Sequence, residues 1–399
     1  MNIFKISWLN ILRKPLNTAL TLIMLALGVA LVAVLIQVSA SLDEGFRKNI
    51  RGIDMAVGAK GSPLQLILSA IYHIDHPTGN IPLTEARELA AHPMVKEAVE
   101  LSYGDSYKGR RIVGTSHRYP EWYEVGVKQG RLWEKTFEAT VGAEVAQEFG
   151  LEVGDTFYSA HGSDAEAEVH DDHPFTVVGI FEPSGTVIDR LLLTAQESMW
   201  DLHADHGTPA EADSLDEKQI TAMLLRFKSK MGILTLPRYV NQQTSMQAAL
   251  PSIEVNRLFD LFGIGFTALR IVAIVIVVLG AISIFVSMLN TLKERSYEIA
   301  LIRSMGALRR QVFTMVIIEA LVLGVLGYVL GIILAHGGLL LLSEGAGSRF
   351  GISIDAFSLR PEEIWLFGLI LGLCVLSAVV PAIRAVRMDV SAVLTSHTQ

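Results

Sequence analysis

Four apolar runs set the frame in which this chain can fold. They are Leu16–Val38, Ile271–Leu292, Val312–Leu342 and Ile364–Ile383. A helix of roughly 20 apolar residues crosses the ~30 Å hydrocarbon core of a bilayer, and each run reaches that length. The third is longer than a crossing needs and reads as tilted or projecting. It holds Gly324, Gly327, Gly331, Gly337 and Gly338. Glycines so spaced let helices approach closely in lipid; they read equally well as small residues tolerated in a span. Mean hydropathy is +0.41 and only 19% of residues are charged, which excludes an ordinary soluble enzyme.

Charge placement orients the spans. Lys5, Arg13 and Lys14 precede the first run without any acid. Lys293, Arg295, Arg303, Arg309 and Arg310 outweigh Glu294 and Glu298 between the second and third. Arg384 and Arg387 outweigh Asp389 after the fourth. These basic segments read as cytoplasmic. Ser41–Gly263, on the other side, carries 20 Lys and Arg against 33 Asp and Glu. An acidic exterior argues against direct handling of polyanions, and nothing points to nucleic acid. The N-terminus also fits a secretory signal with small residues at Val38, Ser39 and Ala40. Its apolar run is longer than a signal core of roughly 7–15 residues, so it is read as a retained anchor. Before it, Ile3, Phe4, Trp8, Leu9, Ile11 and Leu12 mark residues 1–15 as a basic amphipathic helix lying on membrane lipid. The one cysteine, Cys374, lies in the last span, so no intrachain disulfide forms.

Between the second and third runs stands ERSYEIALIRSMGA, from Glu294 to Ala307. Ile299, Ile302 and Met305 recur at helical spacing, with Glu298 and Arg303 mostly elsewhere, which predicts a short cytoplasmic helix. Such a segment is either a solvated loop or a contact for a soluble partner. Glu319, in the third span, is a carboxylate in an apolar run, costly unless paired or near the interface. A tie to a neighbouring span, or to Arg309 or Arg310, is preferred over proton coupling.

The external segment mixes elements. Leu83–His92 reads as a helix with Thr84 as N-cap, and Val141–Phe149 as one closed by Gly150. Leu151–Tyr158, Pro174–Phe181 and Ile220–Phe227 read as strands. Ser41–Arg51 and about Pro251–Ala268 extend the spans outward as helical stalks. Ser159–Asp172 and Asp201–Asp216 read as exposed acidic loops. Leu64–Tyr72 is either core or a flap facing membrane or cargo. Gly58 and Gly61 fit no nucleotide-phosphate loop. Nine of the eleven histidines fall in this segment. His161, Asp164, His170, Asp172 and His173 form one cluster, and His203 and His206 another. Imidazoles and carboxylates suit zinc, and an acidic loop with incidental histidines is the competing reading.

Several motifs together resemble one family. Asn10, Ile11, Leu12 and Arg13 with Leu20 and Thr21 open the chain. Val141–Asp155 and Phe175–Ile180 lie in the external segment. Glu298, Ile299, Arg303, Gly306 and Ala307 follow the second span, Glu319 sits in the third, and Pro381–Val390 closes the set, with Val390 where a proline is usual. The chain resembles the FtsX-like/MacB-like permease subunits of ABC transporters, the type VII group. The resemblance implies an α-helical integral membrane protein of four transmembrane helices. A large α+β MacB-like domain is inserted between helices 1 and 2, and the protein sits in the bacterial inner membrane with that domain in the periplasm. The expected segments are a first span over 16–40, the external domain over 41–263, and a second span over 264–292. A coupling helix over 293–310 follows, then a span over 311–343, an external loop over 344–363, a span over 364–383 and a tail over 384–399. It also implies two copies of an ABC ATPase that bind ATP and Mg, and a second permease copy, most simply identical. Glu294, Glu298, Ile299, Ile302, Arg303, Met305 and Gly306 would dock on the ATPase, the apolar ones filling its groove. Closure of the ATPases would then move the outer domain. The chain has no phosphate loop of its own and starts directly at the membrane, so a separate ATPase is expected and no catalytic residue is assigned. The cargo would be a periplasmic or outer-leaflet lipoprotein, lipid, peptide or small toxic compound. Two alternatives are control of an external cell-wall hydrolase and a zinc-linked uptake or export system.

Overall fold

The computed structural model describes residues 15–161, 173–204, 218–350 and 358–390. Two compact units emerge, Met1–Leu42 with Gly263–Gln399, and Asp43–Phe262. The expected interfacial helix with Trp8 lies almost wholly outside the described residues.

Among the described residues, the first unit is built from α3 (Ser296–Ser304), α4 (Arg309–Phe350), α5 (Pro361–Arg387) and the greater part of α1 (Pro15–Ile50) and α2 (Pro251–Glu294), whose remaining turns belong to the second unit. All but α3 are long and apolar enough to cross a membrane. α1 and α2 continue as helix through 41–50 and 251–268, where stalks are predicted. α4 runs on to Phe350, beyond position 344 where the sequence predicts a loop.

Helical periodicity selects what the bundle buries. In α5, Leu366, Ile370, Cys374, Ala378, Ala382 and Ala385 recur at steps of three or four and are all buried. They pack with Leu25 and Val29 of α1, Val277 and Ile284 of α2, and Val312 and Val316 of α4. The opposite faces stay apolar and exposed, as at Ile271, Val275, Val278 and Ile282 of α2. That is the pattern of helices whose outer solvent is lipid. Glycine sets how closely they pack. A Cβ at Gly331 would lie 2.6 Å from Cβ of Val29, and one at Gly327 would lie 2.5 Å from Leu25. Gly324 meets Cys374 in the same way, whereas Gly337 and Gly338 have nothing within 4 Å. Close-packing glycine and tolerated glycine thus occur in the same helix.

The second unit is built on a mixed sheet. Its main strands are β1 (Met55–Ala59), β2 (Val95–Ser102), β3 (Arg110–Thr115), β4 (Val127–Gly130), β5 (Glu138–Val141), β6 (Phe175–Phe181), β7 (Leu192–Thr194), β8 (Ala222–Phe227) and β9 (Met246–Ala249). Their spatial order is β9-β1-β8-β2-β3-β7-β5-β6-β4. The β3–β7 and β5–β6 pairs are parallel and the other neighbours antiparallel.

Alternation along a strand feeds two cores from one sheet. Met223, Leu225 and Phe227 of β8 join Met55 and Val57 on one face. Ala222 and Leu224 join Ala56, Val99 and Leu101 on the other. In β6 the alternation breaks. Phe175 and Val177 fill a third cluster, yet Phe181 turns into the cluster of Ala56 and Val99. The register shifts between Val177 and Gly179 supply the reversal, since one extra residue moves every later side chain to the opposite face.

Several local expectations are corrected. The helix Leu83–Ala90 begins after Pro82 without a side-chain cap, so Thr84 is not its N-cap. Val141 belongs to β5; the helix there is Ala143–Phe149, closed by Gly150 in the left-handed region at φ 65°. Leu151–Tyr158 keeps only the strand Thr156–Phe157. The cause is a turn in which the Glu152 amide donates to Oδ2 of Asp155 (2.8 Å), with Gly154 at φ 106°. Asp201–Ala204 is the end of the helix Gln196–Ala204, held by buried Met199 and Leu202. Leu64–Tyr72 is core rather than flap: Leu66, Ile67, Ile71 and Tyr72 are buried in and beside the helix Pro63–Ala70.

Candidate functional site

The segment between α2 and α4 folds as the sequence predicts, into a helix ended by Gly306 at φ 101°. Its two sides differ in partner. Ile299 (3% exposed) and Ala300 are buried, and Ile299 packs among Met288, Val312 and Val316. On the other side Tyr297, Leu301, Met305 and Leu308 are exposed, Met305 to 72%. Tyr297, Leu301 and Met305 sit at i, i+4 and i+8, which aligns them along one stripe.

This arrangement redistributes the predicted contacts. Ile299 closes its own bundle and is not free to fill a partner's groove. Ile302 is half-buried, and Glu294, Met305 and Gly306 are exposed. Arg303 does not point outward either. Its Nη1 donates to the carbonyl of Met388 (2.7 Å) and, more weakly, to that of Val386 (3.3 Å), tying α3 to the end of α5. Carbonyls at a helix C-terminus lack intrahelical partners, so a guanidinium there meets a real need. Glu298 accepts from Nε of Arg295 at 3.0 Å. Tyr297 and Leu301 fall outside the Ile299, Ile302 and Met305 pattern, and their i, i+4 spacing is the sequence signal for them; Leu308 lies past the helix end.

Glu319 faces the neighbouring span, one of the two ties predicted for it, rather than Arg309 or Arg310. It shares a small cavity with Arg295, Thr291 and Ile299, and Arg295 supplies the positive charge that bears on it. Arg309 and Arg310 are exposed instead. A wider groove of about 670 Å³ lies between Leu292, Lys293 and Ser296 on one side and Ile383, Arg384 and Met388 on the other.

A polar cluster that sequence reasoning missed joins three of the long helices. Gln37 of α1 donates to Oγ of Ser358 (2.8 Å) and accepts from Arg360 (3.0 Å). Nε2 of His336 in α4 lies 3.4 Å from Oε2 of Glu363 in α5, a carboxylate 1% exposed. Polar residues near one end of several spans were its signal in the sequence.

The histidine clusters have little described structure. Asp164, His170, Asp172 and His206 lie outside the described residues, and only the backbone of His161 and His203 is described. His173 stacks on Phe137 with ring centroids 4.8 Å apart. Among the described residues, no group of three His, Cys, Asp or Glu side chains is placed to hold a metal ion.

Two family models match the chain. MacB-like periplasmic core domain covers residues 18–229, and FtsX-like permease C-terminal covers 270–390. The chain is 25% identical to a Pseudomonas fluorescens protein named pyoverdine export ATP-binding/permease protein PvdT, over 99% of this chain and 58% of that protein. It is 24% identical to a Mycobacterium tuberculosis protein named as an uncharacterized ABC transporter permease, over 96% of this chain and 44% of that one. The chain thus spans little more than half the length of the PvdT relative. Among solved structures, the periplasmic region of MacB from Actinobacillus actinomycetemcomitans aligns with 53% of this chain and 97% of its own. It does so at 13% identity and a TM-score of 0.35.

Proposed function

The chain belongs to the MacB-like and FtsX-like permeases of ABC transporters, and from that premise we propose that it couples ATP hydrolysis by an ABC ATPase to work on the periplasmic side of the inner membrane. The observation that carries this reading is the divided surface of α3. One side is locked into the bundle by Ile299 and by the carbonyl bonds of Arg303. The other presents Tyr297, Leu301, Met305 and Leu308 as exposed apolar side chains. A helix held rigidly on one side and apolar on the other is fit to take up a push from a docked partner and pass it to α2 and α5. Exposed apolar side chains on a short charged segment are what a groove-binding contact requires.

The chain itself would do no chemistry; ATP and Mg would be held by the ATPase, two copies serving two permease subunits. Cargo on the periplasmic side, such as a lipoprotein, lipid, peptide or small compound, fits a protein whose largest soluble mass is the MacB-like domain. Export of a small secreted compound is what the PvdT name states of that relative.

Recovery of the tagged chain from native membranes tests the partnership. An ABC-type ATPase should co-purify in near-equal amount and hydrolyse ATP faster with the chain than alone. Recovery of the intact chain without any ATPase would overturn the reading.

A further inference from the structure

Two spans meet their first cytoplasmic charge at one groove. α2 carries no charge from Ile271 to Leu292 and meets Lys293; α5 carries none from Ile364 to Ile383 and meets Arg384. Lys293 and Arg384 both line the groove of about 670 Å³ between the ends of these helices. Leu289, Leu292, Val380 and Ile383, the residues just before that boundary, line its apolar part. Arg387 adds a third cation one turn beyond Arg384, on the same face of α5. One wall is fixed by Arg303, whose bonds to the carbonyls of Val386 and Met388 hold the end of α5 against α3.

The charge at this groove is of one sign. Among the described residues, no Asp or Glu lines it. Glu294 and Asp389, its neighbours in sequence, are not lining residues and have interactions of their own. Lys293, Arg384 and Arg387 are exposed, and among the described residues none of them is in an ion pair. Long exposed cationic side chains reach the level of lipid headgroups while their stems lie on apolar surface.

We propose that the groove binds one anionic phospholipid of the inner leaflet. An acyl chain lies against Leu289, Leu292, Val380 and Ile383, and Lys293, Arg384 and Arg387 hold the headgroup phosphate. Basic pockets between spans on the cytoplasmic side suit such headgroups. A free phosphate ion would leave the apolar part unfilled, and a zwitterionic lipid would leave the cations unmatched. The cytoplasmic bias of positive charge accounts for cations on this side, but not for three of them at one groove. Arg309 and Arg310 satisfy the same bias and do not line it. The site does not rest on the ATPase reading, since Tyr297, Leu301 and Met305 do not line it either.

The test is native mass spectrometry of the full chain, purified in neutral detergent and titrated with phosphatidylglycerol or with phosphatidylcholine. Phosphatidylglycerol should bind saturably, and at least about tenfold more tightly than phosphatidylcholine. Lys293→Gln or Arg384→Gln should weaken it about fivefold, the worth of one cation near a lipid surface. Adding Arg387→Gln to both should weaken it about a hundredfold by the same arithmetic; the single variants serve if the triple variant fails to insert. Arg309→Gln with Arg310→Gln removes two cations outside the groove and should leave binding unchanged. Equal affinity for the two lipids, or an equal loss in the Arg309 and Arg310 variant, would overturn the proposal. So would glycerol phosphate, which has no acyl chain, binding as tightly as phosphatidylglycerol. Absence of the lipid from the ATPase-bound complex would also overturn it, by assigning the groove to a protein contact.

Discussion

Changing Leu301 and Met305 together to glutamate is expected to cut ATPase association about thirtyfold or more and to abolish stimulated hydrolysis, while leaving the chain folded. Both residues are exposed, Leu301 to 45% and Met305 to 72%, so neither holds the bundle together. Surface changes of this kind typically alter stability by only about ±0.5 kcal/mol. In a docked groove the same two side chains would be fully desolvated. Loss of such an anchor costs about 2 kcal/mol or more, and a carboxylate buried without a partner adds to that. Co-purification and hydrolysis assays on the reconstituted complex measure the effect. An opposite profile is expected at Ile299. Ile299→Ala removes a buried side chain from the cluster of Met288, Val312 and Val316, and large-to-small core changes cost about 2–5 kcal/mol of stability.

Gly331→Leu is expected to disrupt the packing of the membrane unit. A Cβ there would fall 2.6 Å from Cβ and 2.7 Å from Cγ1 of Val29, and 2.8 Å from the carbonyl oxygen of Ala26. The last contact is with backbone, which cannot rotate aside. Between helices in lipid there is little hydrophobic gain to offset a lost fit, because the tails are as apolar as leucine. Overpacking costs about 1–3 kcal/mol in ordinary cores, and here α1 and α4 must separate along their contact. The expected result is a clearly lower thermal midpoint in detergent and a poor yield of monodisperse protein. Gly337→Leu is the matched control, since nothing stands within 4 Å of that position. Equal tolerance of both changes would contradict the packing drawn between Gly331 and Val29.

What could be read in advance follows from what each feature depends on. The spans, their helical extensions and the Gly150 cap depend on neighbours in sequence, so hydropathy and turn chemistry revealed them. Most of Ile220–Phe227 was legible as strand: Ala222–Phe227 forms one whose alternate positions feed two different cores, while Ile220 pairs with Ile81 in a separate two-stranded sheet. The sidedness of α3 was not legible. Its apolar residues satisfy two helical stripes at once, and the choice between them is made by Met288, Val312 and the carbonyls of Val386 and Met388. For Glu319 the sequence leaves a neighbouring span and Arg309 or Arg310 open, and the choice falls to Thr291 of α2 and to Arg295, which are near in space.

The central claim is that the exposed stripe of α3 is the surface an ATPase touches. Site-specific cysteine cross-linking measures this most directly. The native thiol, Cys374, is 1% exposed and in the bundle interior, so Cys374→Ser gives a clean background. Leu301→Cys and Met305→Cys should each cross-link to the co-purified ATPase with a short bifunctional reagent, and Ile299→Cys should not. Cross-linking from Ile299→Cys with none from Leu301→Cys or Met305→Cys would contradict the account.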